Sequence, residues 1–146
     1  MSQLSRQVFF KAPIEIVWKV WADVEKTPEW VDGVTESRIT SAVKYGPGLC
    51  WQEQCLFGNN HVEMEHKIVA WDEKKRAAVR STLPMGGVLE RIVEFKTLGE
   101  ETEVQILLSW ELGMISVFLS DEKFSEMLRK SLEITAAKWK SRAETF

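Results

Sequence analysis

DEKFSEMLRKSLEITAAKWKSRAE, Asp121 to Glu144, is the stretch of sequence whose reading decides the fold. At about 100° per residue, Phe124, Leu128, Leu132, Thr135 and Trp139 fall on one side, flanked by Met127 and Ser131. Glu126, Arg129, Lys130, Glu133, Lys140 and Glu144 fall on the other. Ser120 is positioned as an N-cap, and Asp121 and Glu122 place carboxylates in the first turn, where they oppose the positive helix end. Lys138, Lys140 and Arg142 place cations toward the last turn. At about 1.5 Å per residue the helix is roughly 36 Å long and crosses a whole small domain. A helix with one apolar face needs an apolar surface to lie against, and the upstream sequence supplies it.

Most of that upstream sequence alternates with a strand-like period of two. Gln3–Lys11, with its block Val8-Phe9-Phe10, predicts a first strand. Pro13 then opens a short helix, with Ile14, Val17, Trp18 and Trp21 on one face, that ends near Asp23. A second short helical piece follows over Val24–Val31 around Pro28, anchored by Trp30, before the Asp32-Gly33 turn. Strands are expected at Thr35–Val43, Leu49–Phe57, Val62–Trp71, Ala77–Leu83, Val88–Thr97 and Thr102–Leu112. Their connections are short and carry turn chemistry, including Tyr45-Gly-Pro-Gly48, Gly58-Asn-Asn60 and Pro84-Met-Gly-Gly87. Short turns between successive strands mean an antiparallel meander. The expectation is a single α+β domain over residues 1–146: strand, two short helices, six strands, long helix.

Composition excludes several function classes. A net charge of −3, with no basic block longer than Lys74-Lys75-Arg76, provides no general attraction for nucleic acid or an anionic membrane. No apolar run approaches the length of a membrane span, and Met1-Ser-Gln-Leu-Ser-Arg6 has no signal-peptide core, so a soluble cytoplasmic protein without membrane insertion is the expectation. Cys50 and Cys55 lie about 16 Å apart along one strand, beyond the roughly 7 Å a disulfide spans, and are expected to be free thiols. There is no Cys/His cluster with zinc spacing, and neither a metal nor another cofactor is expected.

Phasing each strand by its apolar residues shows what shares the inward face. Leu49, Trp51, Cys55 and Phe57 bring Glu53 with them; Val62, Met64, Ile68 and Ala70 bring His66; Leu89, Val93 and Phe95 bring Arg91. The last strand turns Val104, Ile106, Leu108, Trp110 and Leu112 inward with no ionisable residue. A carboxylate, an imidazole and a guanidinium on an apolar face are costly unless paired or hydrated. Two readings stay open: a structural ion pair with a hydrogen-bonded core histidine, or a polar cavity shared by all three. A β-bulge turning one of them outward is the third way to relieve the conflict.

Pro13-Ile-Glu-Ile-Val-Trp18, Val20-Trp-Ala-Asp23, Pro28-Glu-Trp30 and Gly33-Val34, with the terminal helix bearing Trp139-Lys140 and Ala143-Glu144, resemble the START-like (SRPBCC) helix-grip superfamily, in its polyketide cyclase/dehydrase-like branch. The resemblance runs the length of the chain in element order, and its pattern residues are mostly scaffold. It implies a seven-stranded curved antiparallel sheet around a long C-terminal helix, with two short helices between strands 1 and 2. It also implies a cavity between sheet and helix that takes lipids, sterols, polyketides or other hydrophobic molecules. Family membership does not by itself imply catalysis.

Three functions follow from that resemblance and these residues. The first is binding of a hydrophobic or amphipathic small molecule, lipid-like or polyketide-like, by Trp51, Glu53, Phe57, Met64, His66, Leu89, Arg91, Trp110, Phe124 and Leu128. The second is a cyclase/dehydrase-type enzyme in the same cavity. There His66 acts as general acid/base, Glu53 orients it, and Arg91 stabilises a developing enolate or carboxylate. The third is a protein-interaction module, of the chaperone-activator kind, whose convex sheet face does the work and whose cavity is filled by side chains. A cyclase scheme built on several inward tyrosines is not available, since the chain has one tyrosine, Tyr45, in a turn.

Overall fold

The computed structural model describes residues 2–57 and 59–146. Strands β1 (Ser2–Phe10), β2 (Val34–Ile39), β3 (Cys50–Phe57), β4 (Asn60–Asp72), β5 (Arg76–Thr82), β6 (Val88–Leu98) and β7 (Glu101–Glu111) form one sheet in the order β1-β7-β6-β5-β4-β3-β2. Every neighbouring pair is antiparallel, so β2 to β7 make the expected meander and β1 closes against β7. Helix α1 (Ile14–Ala22) and a 3-10 helix, Val24–Glu29, connect β1 to β2, and α2 (Asp121–Glu144) ends the chain. The sheet curves around α2, the arrangement that the resemblance implies.

The N-cap of α2 is Ser120, whose hydroxyl accepts from the backbone N–H of Lys123 at 3.2 Å. Phe124, Ala136, Trp139 and Ala143 form its buried stripe, while Leu128 and Leu132 are only half-buried. Trp139 holds the centre of the core. It lies 4.9 Å from Phe10, 5.3 Å from Trp30 and 6.0 Å from Phe95, and its indole N–H donates to the Val17 carbonyl. The helix therefore grips β1, α1 and β6 through its C-terminal half. Its N-terminal half packs through Phe124 on Phe57 and Trp110 and leaves a space beside Met127 and Leu128.

Several expected boundaries shift, each for a local reason. β2 stops at Ile39 rather than Val43 because the Ser41 hydroxyl takes over the backbone of Cys50, accepting from its N–H at 2.9 Å. Tyr45 lies in the loop that follows, and its hydroxyl accepts from the Trp18 indole at 2.9 Å. In β4 a bulge between Ile68 and Ala70 resets the alternation, so that Trp71, not Ala70, meets the inward-facing Ala77 of β5. Trp71 then packs 4.9 Å from Trp18. A further 3-10 turn, Gly113–Val117, precedes α2 where no element was expected. Of the expected hairpin turn between β3 and β4, Gly58 lies outside the described residues; Phe57 pairs with Asn60 across it.

Candidate functional site

A cavity of about 200 Å³ lies between the N-terminal half of α2 and the inner faces of β3 to β6. Its apolar wall includes Val34, Cys55, Phe57, Met64, Leu83, Leu89, Phe124, Met127 and Leu128. Alternation in each strand puts these residues on one face, and the half-buried Leu128 of α2 closes the side opposite. An outer hollow of about 600 Å³ adjoins it and shares Phe57, Met64, Leu83, Phe124 and Met127 with it. The outer hollow is bounded by Asn59 and Asn60 at the β3–β4 tip, by Pro84 and Met85, and by Ile115, Phe118 and Leu119 ahead of α2. It opens between α2 and the 3-10 turn Pro84–Gly86, beside a rim of exposed apolar side chains: Met85, Met114, Val117 and Phe118.

The polar end of the inner chamber is a hydrogen-bonded chain. His66 Nε2 meets Glu53 Oε1 at 2.7 Å, and Nδ1 shares a hydrogen with Ser81 Oγ at 2.5 Å. Since an ionised carboxylate only accepts, His66 Nε2–H is the donor to Glu53. The second oxygen of Glu53 accepts from Thr27 Oγ1 at 2.7 Å and from the Trp51 indole N–H at 3.1 Å. Thr27 reaches this point because Ser37 of β2 ties the 3-10 helix down, its hydroxyl donating to the Val24 carbonyl at 2.7 Å. Glu53 and His66 are both 5% exposed. Burial pushes the Glu53 carboxyl up, but His66 first, then Thr27 and Arg91, outweigh it and hold it below the usual carboxylate range.

Arg91 is different. It lines the same chamber, its Nε is fully shielded, and among the described residues its guanidinium has no hydrogen-bond or ion-pair partner. Burial pushes its pKa down, against the nearby charge of Glu53, yet a guanidinium stays protonated in a protein. Cys55 sits between these influences. Burial pushes its thiol up to about 12, with Glu53 adding to the rise and Arg91 opposing it, so it is an inert wall group and not a thiolate nucleophile. Both cysteines are free.

Of the residues singled out in the sequence, Glu53, Phe57, Met64, His66, Leu89, Arg91, Phe124 and Leu128 border the inner chamber. Trp51 and Trp110 do not. Trp51 stands directly opposite His66 in the β3–β4 register, stacks on its ring at 5.1 Å, and serves Glu53 as a donor. Trp110 lies behind Phe124, with ring centroids 5.5 Å apart. Ser81 and Thr27 were not foreseen. The phase of Ser81 with Ala77, Val79 and Leu83 is a signal that could have found it, whereas nothing local marks Thr27. Among the described residues no group of three or more His, Cys, Asp or Glu side chains is placed to hold a metal ion, and no helix is long and apolar enough to cross a membrane.

A family model described as polyketide cyclase / dehydrase and lipid transport matches residues 1–144. A search of curated proteins found no match. Among solved structures, a START superfamily protein from Mycobacterium smegmatis is similar with a TM-score of 0.84 at 16% identity, over 98% of this chain and 97% of that one. A protein from Thermus thermophilus gives 0.77 at 19% identity, covering 97% of both chains. The Zhui aromatase/cyclase from a Streptomyces species gives 0.75 at 18% identity, over 99% of this chain and 92% of that one. At these identities the likeness establishes the fold alone.

Proposed function

The chain belongs to the polyketide cyclase / dehydrase and lipid transport family, and on that footing we propose that it binds a hydrophobic or amphipathic small molecule between the sheet and α2. The observation that carries this reading is the unfilled, mainly apolar double cavity under the N-terminal half of α2. A core that only stabilised the fold would close such a space, because each buried void forfeits packing. Ordinary ligand sites span about 300–1,000 Å³, so a ligand has to occupy the outer hollow as well as the inner chamber. An unfilled cavity also weighs against a module that works only through its convex face.

Catalysis has less support than binding. A general acid/base needs a nitrogen facing the substrate, and both ring nitrogens of His66 are engaged, one by Glu53 and one by Ser81. Glu53 has both oxygens occupied by protein donors. The three-residue arrangement therefore fixes the wall of the cavity. Native mass spectrometry of the purified protein tests the reading, with 8-anilinonaphthalene-1-sulfonate uptake as a second probe. A co-purified small molecule, or saturable uptake lost on filling the cavity with Leu89→Trp, is the expected result. Protein that carries nothing and takes up no apolar probe in its native state overturns it.

A further inference from the structure

We propose that the ligand is an amphiphile with a terminal carboxylate, bound head inward on Arg91 with its apolar tail running out through the outer hollow. This rests on the small-molecule reading above and specifies which class of molecule the cavity takes and which way round.

Three observations carry it. The first is the isolation of Arg91. Glu53 and His66 are satisfied by protein: Glu53 by His66, Thr27 and Trp51, and His66 by Glu53 and Ser81. Among the described residues Arg91 has no protein partner, and its unspent donors form a planar fork suited to a carboxylate in two-point contact. Half-buried, with its Nε shielded from water and no protein partner, the guanidinium carries a desolvation cost that an anionic ligand offsets. The second is that Glu53 makes no direct ion pair with it. No oxygen of Glu53 lies within ion-pair reach of Arg91, and three donors already engage its charge.

The third is the gradient along the cavity. The chamber holding Arg91 also holds Glu53, His66, Asp32 and Ser131, whereas the outer hollow has Asn59 and Asn60 as its polar side chains and is otherwise apolar. An amphiphile with its headgroup at the mouth would leave Arg91 unpaired and put its tail against the most polar wall. Reversed, the tail lies along Phe57, Met64, Leu83, Phe124 and Met127, the residues common to both spaces, and leaves past Phe118. The inner chamber alone is too small to hold such a molecule, so the direction of the tail follows from the position of the head.

The test uses the full chain, isothermal titration calorimetry, and decanoate and 1-decanol as probes with matched tails. Decanoate is expected to bind at least about tenfold more tightly than decanol. Arg91→Met is expected to remove most of that difference by weakening decanoate, with Arg91→Lys falling between, and circular dichroism melts confirm that both variants fold. The wild-type comparison of acid with alcohol needs no variant and decides the matter if Arg91→Met fails to fold. Equal binding of acid and alcohol, or binding of decanol alone, overturns the carboxylate inference while the cavity reading stands. Binding of neither probe removes both.

Discussion

Glu53 and His66 lie diagonally across β3 and β4 and are joined by a 2.7 Å hydrogen bond, although it is Trp51 that stands directly opposite His66. The bond spans a diagonal because the register sets Glu53 opposite Met64, and the second oxygen of Glu53 is taken by Thr27 and Trp51. A carboxylate held by this many donors stays ionised inside the core. That fixes the histidine ring, and with Ser81 it leaves the imidazole no freedom to turn toward the cavity.

This arrangement predicts a particular acid sensitivity. The folded pKa of Glu53 is depressed, so its contribution to stability is fully present above the unfolded value of about 4.3 and is lost as pH falls through the folded value. Urea denaturation from pH 7 down to pH 3 is expected to show a steeper loss for wild type than for Glu53→Gln. Parallel curves for the two proteins would mean that Glu53 titrates alike in the folded and unfolded chain.

Arg91→Met offers a second test. With no partner among the described residues, removing the guanidinium is expected to leave stability unchanged or raise it by about 1–3 kcal/mol. Combined with Glu53→Gln, the coupling energy is expected to stay below about 1 kcal/mol. A coupling near 3 kcal/mol, or a collapse of Arg91→Met, would show that the two form an ion pair on which the fold depends.

The sequence made the scaffold readable because one periodicity is repeated many times. Phe124 and Trp139 mark the gripping face of α2, and the inward phase of Glu53, His66 and Arg91 could be counted from the apolar residues of their own strands. What stayed hidden depends on contacts between distant elements. The bulge at Val69 re-aims Trp71, and no residue there announces it. Thr27 meets Glu53 only because a 3-10 helix is tied to β2. The expectation that Trp51 lines the cavity treated every inward residue as facing the void. Its stacking on His66 and its hydrogen bond to Glu53 occupy the ring instead.

Trp139→Ala measures how far the fold depends on the C-terminal half of α2. The ring is 2% exposed, packs against Phe10 and Trp30, and donates to the Val17 carbonyl. Truncation is expected to cost about 3–5 kcal/mol in chemical denaturation. Leu132→Ala, on the same helix but half-buried, is expected to cost less. A Trp139→Ala loss below about 1 kcal/mol would contradict the packing described.

Gly113→Ala probes the outer wall of the mouth. Gly113 has φ of +58°, and a Cβ there would stand 2.8 Å from the backbone C and O of Gly86. The neighbour is main chain and cannot rotate away, so the turns Pro84–Gly86 and Gly113–Val117 have to separate. Gly99 is the control, because its φ of +66° carries the same conformational penalty with nothing within 4 Å of the added carbon. Gly99→Ala is expected to cost about 1 kcal/mol and Gly113→Ala about 1–2 kcal/mol more, measured by chemical denaturation. Hydrogen exchange is expected to rise in both turns for Gly113→Ala, and in neither for Gly99→Ala. Equal costs for the two substitutions, with unchanged exchange at the mouth, would show that these turns are not held together by the close approach of Gly86 and Gly113. The rim of the outer hollow would then be free to open without disturbing the sheet.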